Sequence, residues 1–465
     1  MKVLFIYPNI SKFSSSYHYG IGYLSAVLKK HGHETSLLHI KSKDITKDIL
    51  FERITGFNPG LIAFSTTSLQ YQYVKYFSEM IKKAYCNIPI ICGGIHTTLC
   101  AAEIMSNQFI DYVCIGEGEY ALLELCKCLE EKLDTTKIKN IHSKINGNIY
   151  KNPVRPLISD LDELPFPDRD FDDTIAIDYI AHLLAGRGCP FDCSYCCNRN
   201  LRQLYDKKGS FVRYRSVDNV LDEIETLVKR YNVKRLNFHD DTFTISKKWT
   251  RSFCEKYPLR FDLPYECNAR VETVDREMLM LLKASGCDLI RIGTESGNEI
   301  MRQTILNRKM SNEAIKNICN ISNEIGLNTY SFNMIGLPYE TEEMINDTIE
   351  LNKEINPTYG VVSIFYPYPN TNAYEYCKKE NLLTQLDKES HFDEGEVILN
   401  PNLSEEKLNS YYRQFNNFFF EKMLTHKYPT VFIFYRMLKI FLGPFNSELF
   451  IKKLNDYLDK LKPSR

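Results

Sequence analysis

The chain has 465 residues, 44% hydrophobic and 25% charged, which is too long for one core and predicts two or three globular domains. Lys+Arg 58 against Asp+Glu 59 leaves a net charge of −1, so nothing argues for nucleic acid or a strongly charged partner. No apolar run reaches the roughly 18 residues of a membrane span, no signal-peptide pattern precedes Pro8-Asn9, and the fifteen cysteines are expected as free thiols in a reducing cytoplasm.

Residues 1–140 alternate short apolar strands with helical stretches. Lys2 to Tyr7 reads as a buried strand, and Gly22 to Lys30 as a helix closed by Gly32. Leu61 to Ser65, Ile88 to Gly94 and Asp111 to Gly116 are further strand-to-loop segments. Such alternation predicts a Rossmann-like parallel sheet covered on both faces, with ligands beyond the carboxyl ends of its strands. Ser65-Thr66-Thr67, Gly93-Gly94 and Gly116-Glu117-Gly118-Glu119 fall at those ends. No G-x-G-x-x-G follows a strand, which weakens a dinucleotide reading. His96 stands beside the second of these loops, where a turn role and a ligand contact are equally open. Residues 141–175 form a connector: Asn146-Gly147-Asn148 is a turn between two strand-like pieces, and the prolines between Leu161 and Asp168 exclude a helix.

In residues 176–385 a strand near Tyr179 to Ala185 leads into Cys189-Pro190-Phe191-Asp192-Cys193-Ser194-Tyr195-Cys196. This CxxxCxxC spacing gathers three thiolates on one loop. They suit three irons of a [4Fe–4S] cluster and leave the fourth iron open. A structural zinc site is the alternative, but zinc usually takes four ligands; Cys197 reads as a packed thiol. Ser216 is a candidate N-cap for a helix that buries Val217, Val220, Leu221, Ile224, Leu227 and Val228 on one face. Strands at Arg235 to Phe238, Pro264 to Asn268, Leu289 to Gly293, Thr329 to Ile335 and Tyr359 to Ile364 complete about six βα units, a partial (β/α) barrel with its chemistry at the strand C-termini. Asp240 and Asp241, Asn268 and Arg270, Glu295 and Gly336 lie at those ends. Singly each is as readily a cap or an ion pair; together they favour a cofactor site. Residues 386–465 read as a helical region. It opens at Ser404 with Glu405 and Glu406 in the first turn. An aromatic stripe of Tyr411, Tyr412, Phe415, Phe418, Phe419 and Phe420 is expected to pack against the barrel. Val431 to Phe445 reads as a packed helix, with a membrane-surface helix as the alternative.

The cysteine loop, with Tyr195 before its last cysteine, closely resembles the signature of the radical SAM enzymes. The resemblance implies a [4Fe–4S] cluster on Cys189, Cys193 and Cys196 whose open iron chelates S-adenosylmethionine and cleaves it to a 5′-deoxyadenosyl radical. It implies that Asp240 and Asp241 meet the methionyl ammonium and that Arg270, beside Asn268, pairs with the carboxylate. Glu295 would face the ribose or the ammonium, and backbone near Gly336 the adenine. Residues 1–140 resemble the cobalamin-binding domain that precedes many radical SAM domains. Ser65, Thr66, Thr67, Gly93, Gly94, Gly116, Glu117 and Gly118 would receive the corrin and its tail. The chain lacks an Asp-x-His-x-x-Gly motif, so no histidine of that motif would stand beneath cobalt. A domain that kept the shape and lost the ligand is the alternative.

The expected function is methylation of an unactivated carbon of a small molecule. The alternatives are a cobalamin-dependent rearrangement or cyclisation without methyl transfer, and a non-enzymatic metal-binding protein. The implied partners are a small-molecule substrate and an electron donor such as a flavodoxin or ferredoxin.

Overall fold

A computed structural model of the protein describes residues 1–10, 17–42, 47–170, 179–384, 392–395 and 397–428. The Val431 to Phe445 stretch lies outside the described residues.

The first sheet contains β1 (Lys2–Pro8), β2 (Glu34–Ile40), β3 (Leu61–Ser65), β4 (Ile90–Gly93), β5 (Tyr112–Cys114), β6 (Ile141–Ile145) and β7 (Asn148–Tyr150), in the order β2-β1-β3-β4-β5-β6-β7. The first five are parallel. Every residue of β3 is buried, as a sheet covered on both faces requires. β6 and β7 form an antiparallel hairpin about Asn146-Gly147 and extend the sheet past residue 140. The helix after β1 starts at Tyr19, three residues before the expected Gly22, because the His18 ring caps it by accepting from Ile21 N at 3.1 Å. It closes at Gly32, whose φ is +83°.

The second sheet is fully parallel, with β8 (Tyr179–Leu183), β11 (Val233–Phe238), β12 (Tyr265–Ala269), β13 (Cys287–Glu295), β14 (Asn328–Ile335) and β15 (Tyr359–Ile364) in the order β15-β14-β13-β12-β11-β8. Between β8 and β11 a small antiparallel ribbon pairs β9 (Gly186–Arg187) with β10 (Arg213–Tyr214). Burial alternates along β12 and β14. The buried set packs beneath the helices; Leu236, Phe238, Tyr265, Cys267 and Ile290 share a core with Val220, Leu221 and Ile224. Those last three belong to helix Val217–Arg230, whose Ser216 cap accepts from Asn219 N at 3.1 Å. On β12 the half-buried set, Glu266 and Asn268, carries the polar groups, whereas on β14 the polar Thr329, Ser331 and Asn333 are buried. The sheet is thus a half-barrel of six strands.

Helix Glu405–Lys427 closes the far edge. Tyr412, Phe415 and Phe419 are buried, and a Cβ on Gly360 of β15 would stand 2.1 Å from the Phe419 ring. These three residues of the aromatic stripe are core, and Tyr411, Phe418 and Phe420 are half-buried. Among the described residues no helix is long and apolar enough to cross a membrane.

Candidate active site

The loop that leaves β8 is fixed before it reaches its cysteines. Asp240, just past β11, accepts from Ala185 N at 3.0 Å and from Gly186 N at 2.6 Å. Burial pushes its pKa up to about 7 against the pull of those bonds. Gly188 has φ +88°, and a Cβ there would lie 2.3 Å from the Phe211 carbonyl oxygen, so glycine is required to turn toward Cys189. Ser194 anchors the loop's middle, its N donating to Leu306 O at 3.0 Å and its hydroxyl to Ile305 O at 2.5 Å.

Cys189 and Cys193 are buried and Cys196 is half-buried. Each sulfur has a polar neighbour. The Thr242 hydroxyl lies 4.0 Å from Cys189, Arg270 Nη1 donates to Cys193 at 3.1 Å, and Asn198 Nδ2 donates to Cys196 at 3.5 Å. The Cys197 thiol lowers the Cys196 thiol to about 7, against burial and with help from Asn198; burial raises that of Cys189. Among the described residues, the three-donor set of His, Cys, Asp or Glu with all atoms within 4.8 Å of one another lies elsewhere, at His96, Cys100 and Glu103. Three thiols on one loop, each with a polar neighbour, fit an iron–sulfur cluster.

The other strand ends gather around this loop, with most of their polar atoms engaged by protein. Asn268 Nδ2 donates to the Asp240 carbonyl at 2.8 Å. Arg270 also pairs with Glu272 at 2.6 Å, and its guanidinium lies over the Phe191 ring at 3.7 Å. Glu295, in the left-handed region at φ +64°, accepts from the Tyr195 hydroxyl and from Arg308 Nη1, each at 2.9 Å. Gly336 N donates to Glu340 at 2.6 Å and Leu337 N at 3.1 Å. Glu340 is fully buried, has no cation paired to it among the described residues, and its pKa rises to about 8. Asp241 keeps an exposed side chain, although the surrounding protein still raises its pKa through lost solvation.

A cavity of about 440 Å³ separates the two sheets. Ser65, Gly93, Gly94, Gly116, Glu117 and Gly118 line it from the first domain, and Gly188, Asn198 and Asp241 from the second. Thr66 and Thr67 are not on its wall. Gly94 sits at φ +100°, where a Cβ would lie 2.6 Å from the Thr66 carbonyl oxygen. At Gly116 the space of the missing Cβ is taken by the second domain: the Tyr205 hydroxyl would be 1.9 Å away, and it accepts from Glu117 N at 2.6 Å. The Glu117 carboxylate bonds Arg187 at 2.9 Å and Arg213 at 2.8 Å, and Glu119 bonds Arg187 at 2.6 Å. Burial opposes the charge on Glu117, but the two guanidiniums outweigh it and its pKa falls. The acidic run thus joins the domains directly ahead of Gly188 and Cys189.

Two cavity-lining imidazoles are His18 and His239. His18 uses Nδ1 for Ile21 N and holds Ser65 Oγ at 3.0 Å from Nε2; burial lowers its pKa to about 4. His239 Nε2 lies 2.8 Å from His182 Nδ1. His96 is buried but not on the cavity wall. Sequence reasoning missed Arg187, Arg213, Tyr205, Arg308 and Glu340. Arg187 adjoins Gly188-Cys189, and Glu340 follows Gly336 by four residues, so these two had a local signal.

Comparison with known proteins agrees with this geometry. Residues 183–351 match the Radical SAM superfamily and residues 13–126 the B12 binding domain. An uncharacterised methyltransferase of Pyrococcus horikoshii is 27% identical over 376 residues, covering 79% of this chain and 80% of that protein. The anaerobic magnesium-protoporphyrin IX monomethyl ester cyclase of Rubrivivax gelatinosus is 25% identical over 451 residues, covering 89% and 77%. The fold resembles the radical S-adenosylmethionine methyltransferase TsrM of Kitasatospora setae, solved with cobalamin and a [4Fe–4S] cluster, at a TM-score of 0.68 and 16% identity over 89% of this chain and 88% of that one. The two matched domains imply a [4Fe–4S] cluster, S-adenosylmethionine and cobalamin as cofactors. The chain thus carries a radical SAM domain and, ahead of its cysteine loop, a B12 binding domain.

Proposed function

We propose that this protein methylates an unactivated carbon of a small molecule, with cobalamin as the methyl carrier. The observation that carries this reading is the single cavity walled by the carboxyl ends of both sheets, where substrate can meet both cofactors. The cofactors supply one-electron cleavage of S-adenosylmethionine to a carbon radical and a methyl group borne on cobalt.

The chain binds and orients. Cys189, Cys193 and Cys196 would hold the cluster. Arg270, against Cys193, and Glu295, against Tyr195, would orient S-adenosylmethionine. Asp241, which opens onto the cavity, is the carboxylate for its ammonium. Asp240 and Asn268 brace the rim, and Gly336 presents backbone held by Glu340. Gly93, Gly94 and Gly118 keep the cobalamin wall free of side chains. Ser65 carries the His18 contact, and Glu117 holds the wall to the cysteine loop. A flavodoxin- or ferredoxin-like protein would deliver the electron.

The relative named a methyltransferase supports this reading. The relative named a cyclase favours a second one, ring formation without methyl transfer. The test is anaerobic incubation of cluster- and cobalamin-loaded protein with reductant and methyl-labelled S-adenosylmethionine. Label on cobalamin together with S-adenosylhomocysteine is the expected result. Production of 5′-deoxyadenosine with unlabelled cobalamin would replace methyl transfer by the cyclase reading.

A further inference from the structure

The short helices Ile95–Leu99 and Ala101–Ser106 meet at Cys100, whose φ of −120° and ψ of 35° leave the helical region. Hydrogen bonds still cross the break: Cys100 N bonds His96 O at 2.8 Å, and Ile104 N bonds Cys100 O at 3.1 Å. Ile95 and Thr98 line the cavity, whereas His96, Cys100 and Glu103 do not.

Those three side chains converge. One donor atom from each of His96, Cys100 and Glu103 lies within 4.8 Å of the other two. His96 is 3% exposed, and its Nε2 is buried without a hydrogen-bond partner. That nitrogen stands 3.7 Å from Glu103 Oε2, too far for a hydrogen bond and suited to two ligands facing a common ion. His96 Nδ1 lies 3.0 Å from Ser68 Oγ. A hydroxyl accepting from Nδ1–H fixes the tautomer that leaves the Nε2 lone pair free for a metal. Asn370 Nδ2 points at Cys100 Sγ from 3.4 Å, a donor that a thiolate accepts better than a thiol. The Lys75 ammonium, over the Tyr71 ring at 5.2 Å, adds one positive charge nearby, and the Glu103 carboxylate offsets it.

We propose that His96, Cys100 and Glu103 bind one borderline-soft transition-metal dication of the zinc type, separate from the cluster and from cobalamin. Imidazole, thiolate and carboxylate are the three ligand classes zinc takes, and three protein ligands leave a fourth position for water. The site lies on the domain junction. Asn370 also donates to Leu99 O at 2.7 Å, and its own carbonyl accepts from Asn200, in the helix that follows the cysteine loop, at 2.7 Å. The ion would clip the B12 domain to the loop at Asn370.

The test uses full-length, cluster-loaded protein incubated with zinc sulfate and desalted anaerobically. One zinc per chain is expected. Zinc-edge X-ray absorption should show one sulfur at about 2.3 Å and nitrogen or oxygen neighbours at about 2.0–2.1 Å. Cys100→Ser and His96→Gln should each weaken zinc binding at least tenfold while iron and cobalamin contents stay unchanged. Absence of retained zinc, a shell of three or four sulfurs, or full zinc in both variants would overturn the proposal. The wild-type absorption spectrum decides the matter even where a variant does not fold.

Discussion

Carboxylates on the two sides of the cavity are held by different partners, and they ionise in opposite directions. On the B12 side, Glu117 faces Arg187 and Arg213, and its pKa falls despite burial. On the half-barrel side, Asp240 and Glu340 are more deeply enclosed than Glu117 and, among the described residues, accept from backbone amides alone, and burial raises their pKa values to about 7 and about 8. An amide dipole does not repay the desolvation of a full charge, whereas a guanidinium does. The first arrangement joins two domains; the second shapes loops within one.

Both sets of braces surround the three thiolates, so the largest effect belongs there. Cys189→Ala, Cys193→Ala or Cys196→Ala should each abolish 5′-deoxyadenosine formation while the chain stays folded, as read by anaerobic product analysis beside circular dichroism. Cleavage that persisted in any of the three would dissociate the braces from the chemistry.

Glu117→Ala sharpens the contrast next. It leaves Arg213 without its carboxylate and should cost about 3–5 kcal/mol, the usual loss when one partner of a buried pair is removed. Melting temperature and cobalamin retention should both fall while iron per chain holds. An unchanged melting temperature would mean that the domains are joined elsewhere.

The smallest effect comes from the amide-held group. Glu340 titrates near 4.5 when unfolded and at about 8 when folded. Between those values the folded protein keeps a proton that the unfolded chain has released, so its contribution to stability falls as pH rises from about 4.5 to about 8. The full swing is on the order of 5 kcal/mol, of which about 3 kcal/mol falls between pH 5.5 and pH 8. Glu340→Gln should remove that part of the decline, measured as melting temperature at pH 5.5 and pH 8. A variant with the wild-type slope would refute the assignment.

The same division governs what the sequence discloses. The cysteine spacing, the βα alternation and the Ser216 cap rest on neighbours a few residues apart, and they are legible. The helix start at Tyr19 was obscured because histidine is an unusual cap, and only the fold brings Ser65 against its other nitrogen. Gly116 reads as a ligand contact, yet its empty space belongs to Tyr205, 89 residues on. Glu117 and Glu295 read as binding carboxylates because their arginines, Arg187, Arg213 and Arg308, pair with them only in three dimensions. Where a carboxylate's partner is distant in sequence, a structural brace and a cofactor contact look alike.

Arg187 bonds Glu117 and Glu119 one residue before Gly188-Cys189. This seam sets a rule for exchanging modules. A foreign B12 domain grafted onto this half-barrel would need more than a matching fold. It would have to offer two acids with one residue between them, and a glycine able to admit Tyr205. A graft lacking them would leave a charged arginine stranded at the entrance to the cysteine loop. Recombination between such enzymes should therefore carry the acidic run and the arginine together.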